Sequence, residues 1–133
     1  MTRLRSAKVA AVAAVASIAA ALLAGCHGQT GTQASADVAG GDPVRGRGLI
    51  RSYGCGSCHE VKGVPGAQGT VGPPLTGVGG RMYIAGRLAN TPENLARWIK
   101  DPKGVDEKTA MPNLGLDDQD ARDIAAFLYD QRQ

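Results

Sequence analysis

Between two helix-forming segments the chain runs for about 30 residues, Val61 to Ala89, through a stretch dense in glycine and proline. Inside a compact domain a structureless connection of that length is uncommon unless something other than protein organises it. The rest of the chain offers little to fold around. It has a single Phe and a single Trp in 133 residues. Three short helices would bury too little apolar surface to offset the ordering entropy of about 90 residues. A large apolar cofactor would supply the missing core.

Three segments carry helical signals. Asp42 and Pro43 form an N-cap and first-turn pair, and Val44, Leu49, Ile50 and Tyr53 follow as an apolar face. Gly46 and Gly48 each weaken that helix by about 1 kcal/mol relative to alanine, which predicts that at least one permits a close helix crossing. Thr91 and Pro92 open a second helix, with Leu95, Trp98 and Ile99 at i, i+3 and i+4 before Asp101 and Pro102 end it. A third begins near Asp117, and Ile124, Phe127 and Leu128 repeat the spacing. The acidic DDQDARD run reads as charge placed at that helix N-terminus. No segment alternates convincingly as a strand, so the expected class is all-α.

The first 40 or so residues read differently. Arg3, Arg5 and Lys8 precede an almost purely apolar run from Val9 to Ala24. At about 16 residues the run is short of the roughly 20 that a spanning helix needs, as in a signal peptide. It ends in Leu23, Ala24, Gly25 and Cys26, which resembles the lipobox of bacterial lipoproteins. That resemblance implies cleavage before Cys26 and acylation of its thiol, with each buried acyl methylene worth about 0.8 kcal/mol. The alternatives are an ordinary cleavable signal with an accidental cysteine, or an uncleaved anchor.

The expected organisation is therefore a lipoprotein signal over residues 1–25, a lipidated cysteine and flexible tether over 26–41, and a domain over 42–133. The tether is rich in Gly, Ser, Thr, Gln and Ala and would reach roughly 20 Å on average as a flexible coil. Cleavage would remove three basic residues, leaving 12 basic against 12 acidic ones. A basic nucleic-acid binder is then unsupported. One of the three cysteines is assigned to lipid and two remain.

Those two lie in YGCGSCHE, residues 53–60. Cys55 and Cys58, three apart, can add across the two vinyl groups of one haem, with His59 placed beneath the iron as an axial ligand. Zinc would need further Cys or His ligands at similar spacing. A redox dithiol would need a βαβ setting, which the pattern lacks. Haem satisfies both the spacing and the missing core. For the opposite axial position the candidates are Met82 and Met111. Met111 sits in KTAMPNLG, where Pro112 and Gly115 mark an extended loop, whereas Met82 beside Arg81 is expected to pack or to line the pocket.

The region from about Gly41 to Asp130 resembles a class I cytochrome c. CGSCH resembles the attachment motif, GPPLTGVGGR the loop beside the haem, and TAMP the sixth-ligand loop; GDPVRGRGLI and ARDIAAFLYD resemble the crossing terminal helices. RMYIAGRL with NTPENLARWIKDP is similar to the cytochrome domain fused to subunit II of some bacterial haem-copper oxidases. The resemblance implies a small cytochrome c fold packed around one covalent haem c. Cys55 and Cys58 would form thioethers, with His59 proximal and Met111 distal. The Pro73 carbonyl would accept a hydrogen bond from the other nitrogen of His59. Arg81 would face a propionate, Thr109 would supply a propionate-side hydroxyl, and Arg87 and Tyr83 are further propionate candidates. Trp98 would take the aromatic position near the methionine sulphur.

An iron with both axial positions filled changes charge without room for a substrate, so the expected function is one-electron transfer and not enzymatic catalysis. The partners would be redox proteins, a donor and an acceptor among membrane respiratory complexes, leading towards a terminal oxidase. The lipid on Cys26 would hold the domain at the periplasmic or outer face of a bacterial membrane. A permanently docked electron-entry subunit of a dehydrogenase or reductase is the alternative. Lys62, Lys100, Lys103 and Lys108 are read either as a docking ring for an acidic partner or as solvated surface.

Overall fold

The computed structural model describes residues 38–131. The signal segment, Cys26 and nearly all of the expected tether lie outside the described residues. Helix α1 spans Pro43–Ser52. After it come 3-10 turns at Cys55–Ser57 and Val78–Gly80, short strands β1 Tyr83–Ile84 and β2 Leu88–Ala89, helix α2 Pro92–Lys100, the single turn α3 Pro102–Val105, and helix α4 Asp118–Asp130. Among the described residues no helix is long and apolar enough to cross a membrane.

Each main helix starts where a short polar side chain satisfies free backbone N–H groups. Asp42 accepts from Val44 N at 2.9 Å and Arg45 N at 3.1 Å. Thr91 Oγ1 accepts from Asn94 N at 3.2 Å. Asp117 accepts from Asp120 N at 2.7 Å.

Helix α4 is the axis of the domain. Ala121 and every residue from Asp123 to Tyr129 are buried, which marks a helix covered around most of its circumference. Both α1 and α2 pack on it. The core joins Ile50 of α1, Leu95 and Ile99 of α2, Leu116, and Ile124, Phe127 and Leu128 of α4. The α1–α4 crossing is close enough that a Cβ on Gly46 would stand 1.9 Å from the Asp123 carbonyl oxygen. Of the two helical glycines, Gly46 is thus the one the crossing requires, since a Cβ on Gly48 would meet nothing within 4 Å.

Two carboxylates are buried at this crossing, Asp120 and Asp123. Charges removed from water need partners, and here α1 provides them. Asp123 accepts from Asp42 N and Gln119 Nε2, both at 2.8 Å, and from Arg45 Nη1. Asp120 accepts from Arg45 Nη2 and from the Tyr53 hydroxyl. Burial opposes ionisation of Asp123, but its N–H and guanidinium donors outweigh that and hold its carboxyl below the usual range. The Tyr53 hydroxyl does the same for Asp120, and the Tyr53 phenol is pushed up in turn. The acidic run is therefore more than helix-terminal charge, because two of its members form the polar centre of the crossing.

Three details differ from the sequence-based expectations. Val38 is 3% exposed in the core and Gly40 O accepts from Gln119 Nε2 at 2.7 Å, so the packed domain begins by Val38 and not at Asp42. The Val61–Ala89 stretch contains local structure of its own. Glu60 bridges to Gln68, and β1 pairs antiparallel with β2 in register Tyr83↔Ala89 and Ile84↔Leu88. These strands are two residues long, too short to show alternation, and they turn through Ala85 and Gly86 at positive φ. Finally, Pro102 both bars α2 from continuing and opens the short α3, capped by Asp101 accepting from Gly104 N at 2.9 Å.

Candidate functional site

The 3-10 turn after α1 brings Cys55, Cys58 and His59 together. Cys58 N and His59 N both donate to the Cys55 carbonyl, at 3.2 and 3.0 Å. The cysteines are free thiols, and burial pushes the Cys55 pKa up, so the thiol form is favoured. All three side chains are half-buried.

The His59 imidazole is oriented from two directions. Its Nδ1 lies 2.7 Å from the Pro73 carbonyl oxygen. Its ring also lies so close to Gly72 that a Cβ there would approach Cε1 to 2.3 Å. A carbonyl partner makes Nδ1 the protonated nitrogen and leaves Nε2 with its lone pair free to donate. The Gly72–Leu75 segment runs beside the motif, with Gly72 N donating to Cys58 O at 2.7 Å and Leu75 N to Glu60 O at 2.9 Å.

Met111 is half-buried in the loop between α3 and α4, and its N–H donates to Thr109 Oγ1 at 3.2 Å. The loop is fastened from outside. Lys103 Nζ donates to the Glu107 and Thr109 carbonyls, and Asn113 Nδ2 donates to Asp101 Oδ1 at 3.0 Å. Trp98 is half-buried against the core.

The remaining candidates are disposed as follows. Arg81 donates to the Pro74 carbonyl at 2.6 Å and the Thr76 carbonyl at 3.5 Å. Arg87 pairs with Asp106 at 3.0 Å, joining the hairpin to the methionine loop. Tyr83 and Met82 are exposed, Met82 at 81%, so Met82 is not packed into the protein core. Two of the four lysines are engaged within the domain: Lys100 with Asp118 at 2.7 Å, and Lys103 with the carbonyls just named.

The profile of the family described as "Cytochrome c" matches residues 43–131. The chain belongs to the cytochrome c family. Cytochrome c oxidase subunit 2 of Alkalihalophilus pseudofirmus is 35% identical over 85 residues, covering 63% of this chain and 24% of that protein. The subunit of the same name from Bacillus sp. strain PS3 is 39% identical over 67 residues, covering 48% and 19%. This chain thus spans about a quarter or less of those subunits. Cytochrome c2 iso-2 of Rhodospirillum centenum is 30% identical over 117 residues, covering 66% of this chain and 93% of that protein.

A cytochrome c domain implies a covalently bound haem c, and its CxxCH motif is present here as Cys55, Cys58 and His59. The residues suit that group on their own chemistry. Two cysteines free of any disulfide stand beside an imidazole with one nitrogen tied to a carbonyl. Leu75, Leu88, Trp98 and Leu114 are only partly buried against the core, which leaves apolar surface that a porphyrin could cover. Among the described residues no group of three or more His, Cys, Asp or Glu is placed to hold a metal ion. The cytochrome is, at this level, a haem electron-transfer protein.

Two features of the site had no signal in the sequence. Asn90 is joined to the loop carrying Arg81, and Lys103 to the loop carrying Met111; both contacts depend on segments the fold alone brings together.

Proposed function

We propose that this cytochrome is a lipid-tethered, single-haem carrier passing one electron at a time between respiratory-chain partners, towards a terminal oxidase. In this reading Cys26 would hold the lipid, Cys55 and Cys58 would form the thioethers, and His59 and Met111 would be the protein ligands to the iron. A bound haem c supplies one-electron exchange between ferric and ferrous iron. The chain sets the terms of that exchange. Pro73 O fixes the His59 tautomer and strengthens its donation, and Gly72 fixes the plane of the ring. The Met111 thioether donates weakly, which favours the ferrous form and a fairly high reduction potential relative to bis-histidine ligation. Arg81, Arg87, Tyr83 and Thr109 are proposed on the propionate side, Arg87 through its pairing with Asp106, and Trp98 beside the sulphur.

The observation that carries this reading is the His59 ring, pinned between Gly72 and the Pro73 carbonyl next to two free thiols. An optical spectrum with redox titration of the membrane fraction tests it. A low-spin spectrum with a methionine–iron charge-transfer band is expected, and Met111→Ala should abolish that band and lower the potential. A wild-type spectrum of high-spin iron, or a pigment absent from membranes, would contradict it.

A second reading, a fixed electron-entry subunit, draws on the likeness to part of a larger oxidase subunit. The coverage of nearly all of a cytochrome c2 favours the separate carrier. Gentle detergent extraction separates them: a stable complex supports the fixed subunit, release of the free cytochrome the carrier.

A further inference from the structure

The Pro73 carbonyl that orients His59 belongs to a segment whose own backbone anchors it only at its two ends, through Gly72 N and Leu75 N. Pro73 and Pro74 have no N–H, so between Gly72 N and Leu75 N the backbone has no donor with which to anchor itself. The tie across this gap comes from Arg81, whose guanidinium donates to the carbonyls of Pro74 and Thr76. Arg81 is itself held at both backbone groups: its N–H donates to Val78 O at 3.1 Å, and its carbonyl accepts from the side chain of Asn90.

Asn90 Nδ2 donates to Arg81 O at 2.7 Å and to Val78 O at 2.6 Å. Its Oδ1 accepts from the Tyr129 hydroxyl of α4 at 2.9 Å. Its backbone N–H donates to Met82 O at 3.0 Å. Both amide hydrogens and the amide oxygen are thus used. The orientation is determined, since the reversed amide would set its oxygen against two carbonyl oxygens. One side chain therefore links the central helix to the turn bearing Arg81, and through Arg81 to the segment that touches His59.

We propose that Asn90 is a positioning residue for the proximal histidine, holding the Val78–Arg81 turn so that Arg81 keeps the Pro73 carbonyl on His59 Nδ1. The inference rests on the reading of His59 as an axial ligand. Its consequence is electronic as well as structural. A carbonyl held firmly at Nδ1 makes the imidazole a better donor and favours ferric iron, and a loosened one shifts the balance towards ferrous.

The test uses the full-length, haem-loaded protein and the variants Asn90→Asp and Tyr129→Phe. Asn90→Asp keeps the shape but replaces both donors with an oxygen facing two carbonyls. Tyr129→Phe removes one hydroxyl and keeps the ring, so it carries the test if the first variant does not fold. Three quantities are read: exchange of the His59 Nδ1 proton by NMR, the ferric/ferrous equilibrium against a redox mediator, and the thermal midpoint. In Asn90→Asp, proton exchange should quicken about fivefold and the equilibrium should move roughly twofold to fivefold towards ferrous. Tyr129→Phe should move both in the same direction by less. Folded variants with a lower thermal midpoint but unchanged exchange and equilibrium would overturn the proposal and leave Asn90 a merely structural residue. Wild-type protein without an iron-shifted His59 resonance would overturn the axial assignment itself, and this inference with it.

Discussion

At the α1–α4 crossing a glycine lets two backbones touch, and the buried carboxylates find their donors on the facing helix. In the loops after Cys55, Cys58 and His59 and around Met111, by contrast, apolar side chains remain half-buried and backbone carbonyls are tied by long polar side chains, Arg81 in the first and Lys103 in the second. The first region is complete as protein. The second is arranged for a partner that is not protein, which explains why so few large apolar residues suffice in the chain.

The comparison is broken most severely by removing the haem attachment. Cys55→Ser with Cys58→Ser should abolish haem staining after denaturing electrophoresis and cost more than about 5 kcal/mol of stability, beyond most single core substitutions. Amide exchange should rise first in the Val61–Ala89 and Met111 loops. A double variant that melts like the wild type would mean that those loops stand without haem.

The next largest effect belongs to the crossing. Gly46→Ala should cost about 3 kcal/mol by overpacking against the Asp123 carbonyl, whereas Gly48→Ala should be neutral or gain up to about 1 kcal/mol from helix propensity. Denaturant titration of the pair measures this difference; equal effects would show that close approach is not what Gly46 provides.

Asp123→Asn should cost about 2 kcal/mol, because it weakens charge-assisted bonds to Arg45 and the Asp42 N–H. Asp120 and Asp123 both have folded pKa values held below the ordinary one. Their contribution is present above the unfolded carboxylate value of about 3.9 and is lost as pH falls through the lower folded values. Acid unfolding should therefore set in below about pH 4, with a shallower pH dependence in the variant. The smallest effect is expected at Arg87→Met, where loss of an exposed ion pair should barely move the denaturation midpoint and should matter still less in salt.

Some of the molecule was legible before any fold was known. The helix starts at Asp42–Pro43, Thr91–Pro92 and Asp117 could be read directly, because a cap and its N–H partners lie within one turn of each other. The hairpin at Tyr83–Ala89 could not be, since two-residue strands carry no periodicity. Gly46 and Gly48 look alike in the sequence and differ only in what α4 brings against them. The roles of Asp123, Asn90 and Lys103 were equally hidden.

By itself the sequence determined the chemistry: two thiols and an imidazole within five residues, a scarcity of core, and apolar faces at helical spacing. Those features are local, and local spacing survives in a linear string. The tertiary structure alone decided which charges are buried together, which glycine is indispensable, and which amide ties the Arg81 turn to α4. Such contacts join residues up to 81 positions apart, and their pairing follows from how the helices cross, not from any pattern along the chain.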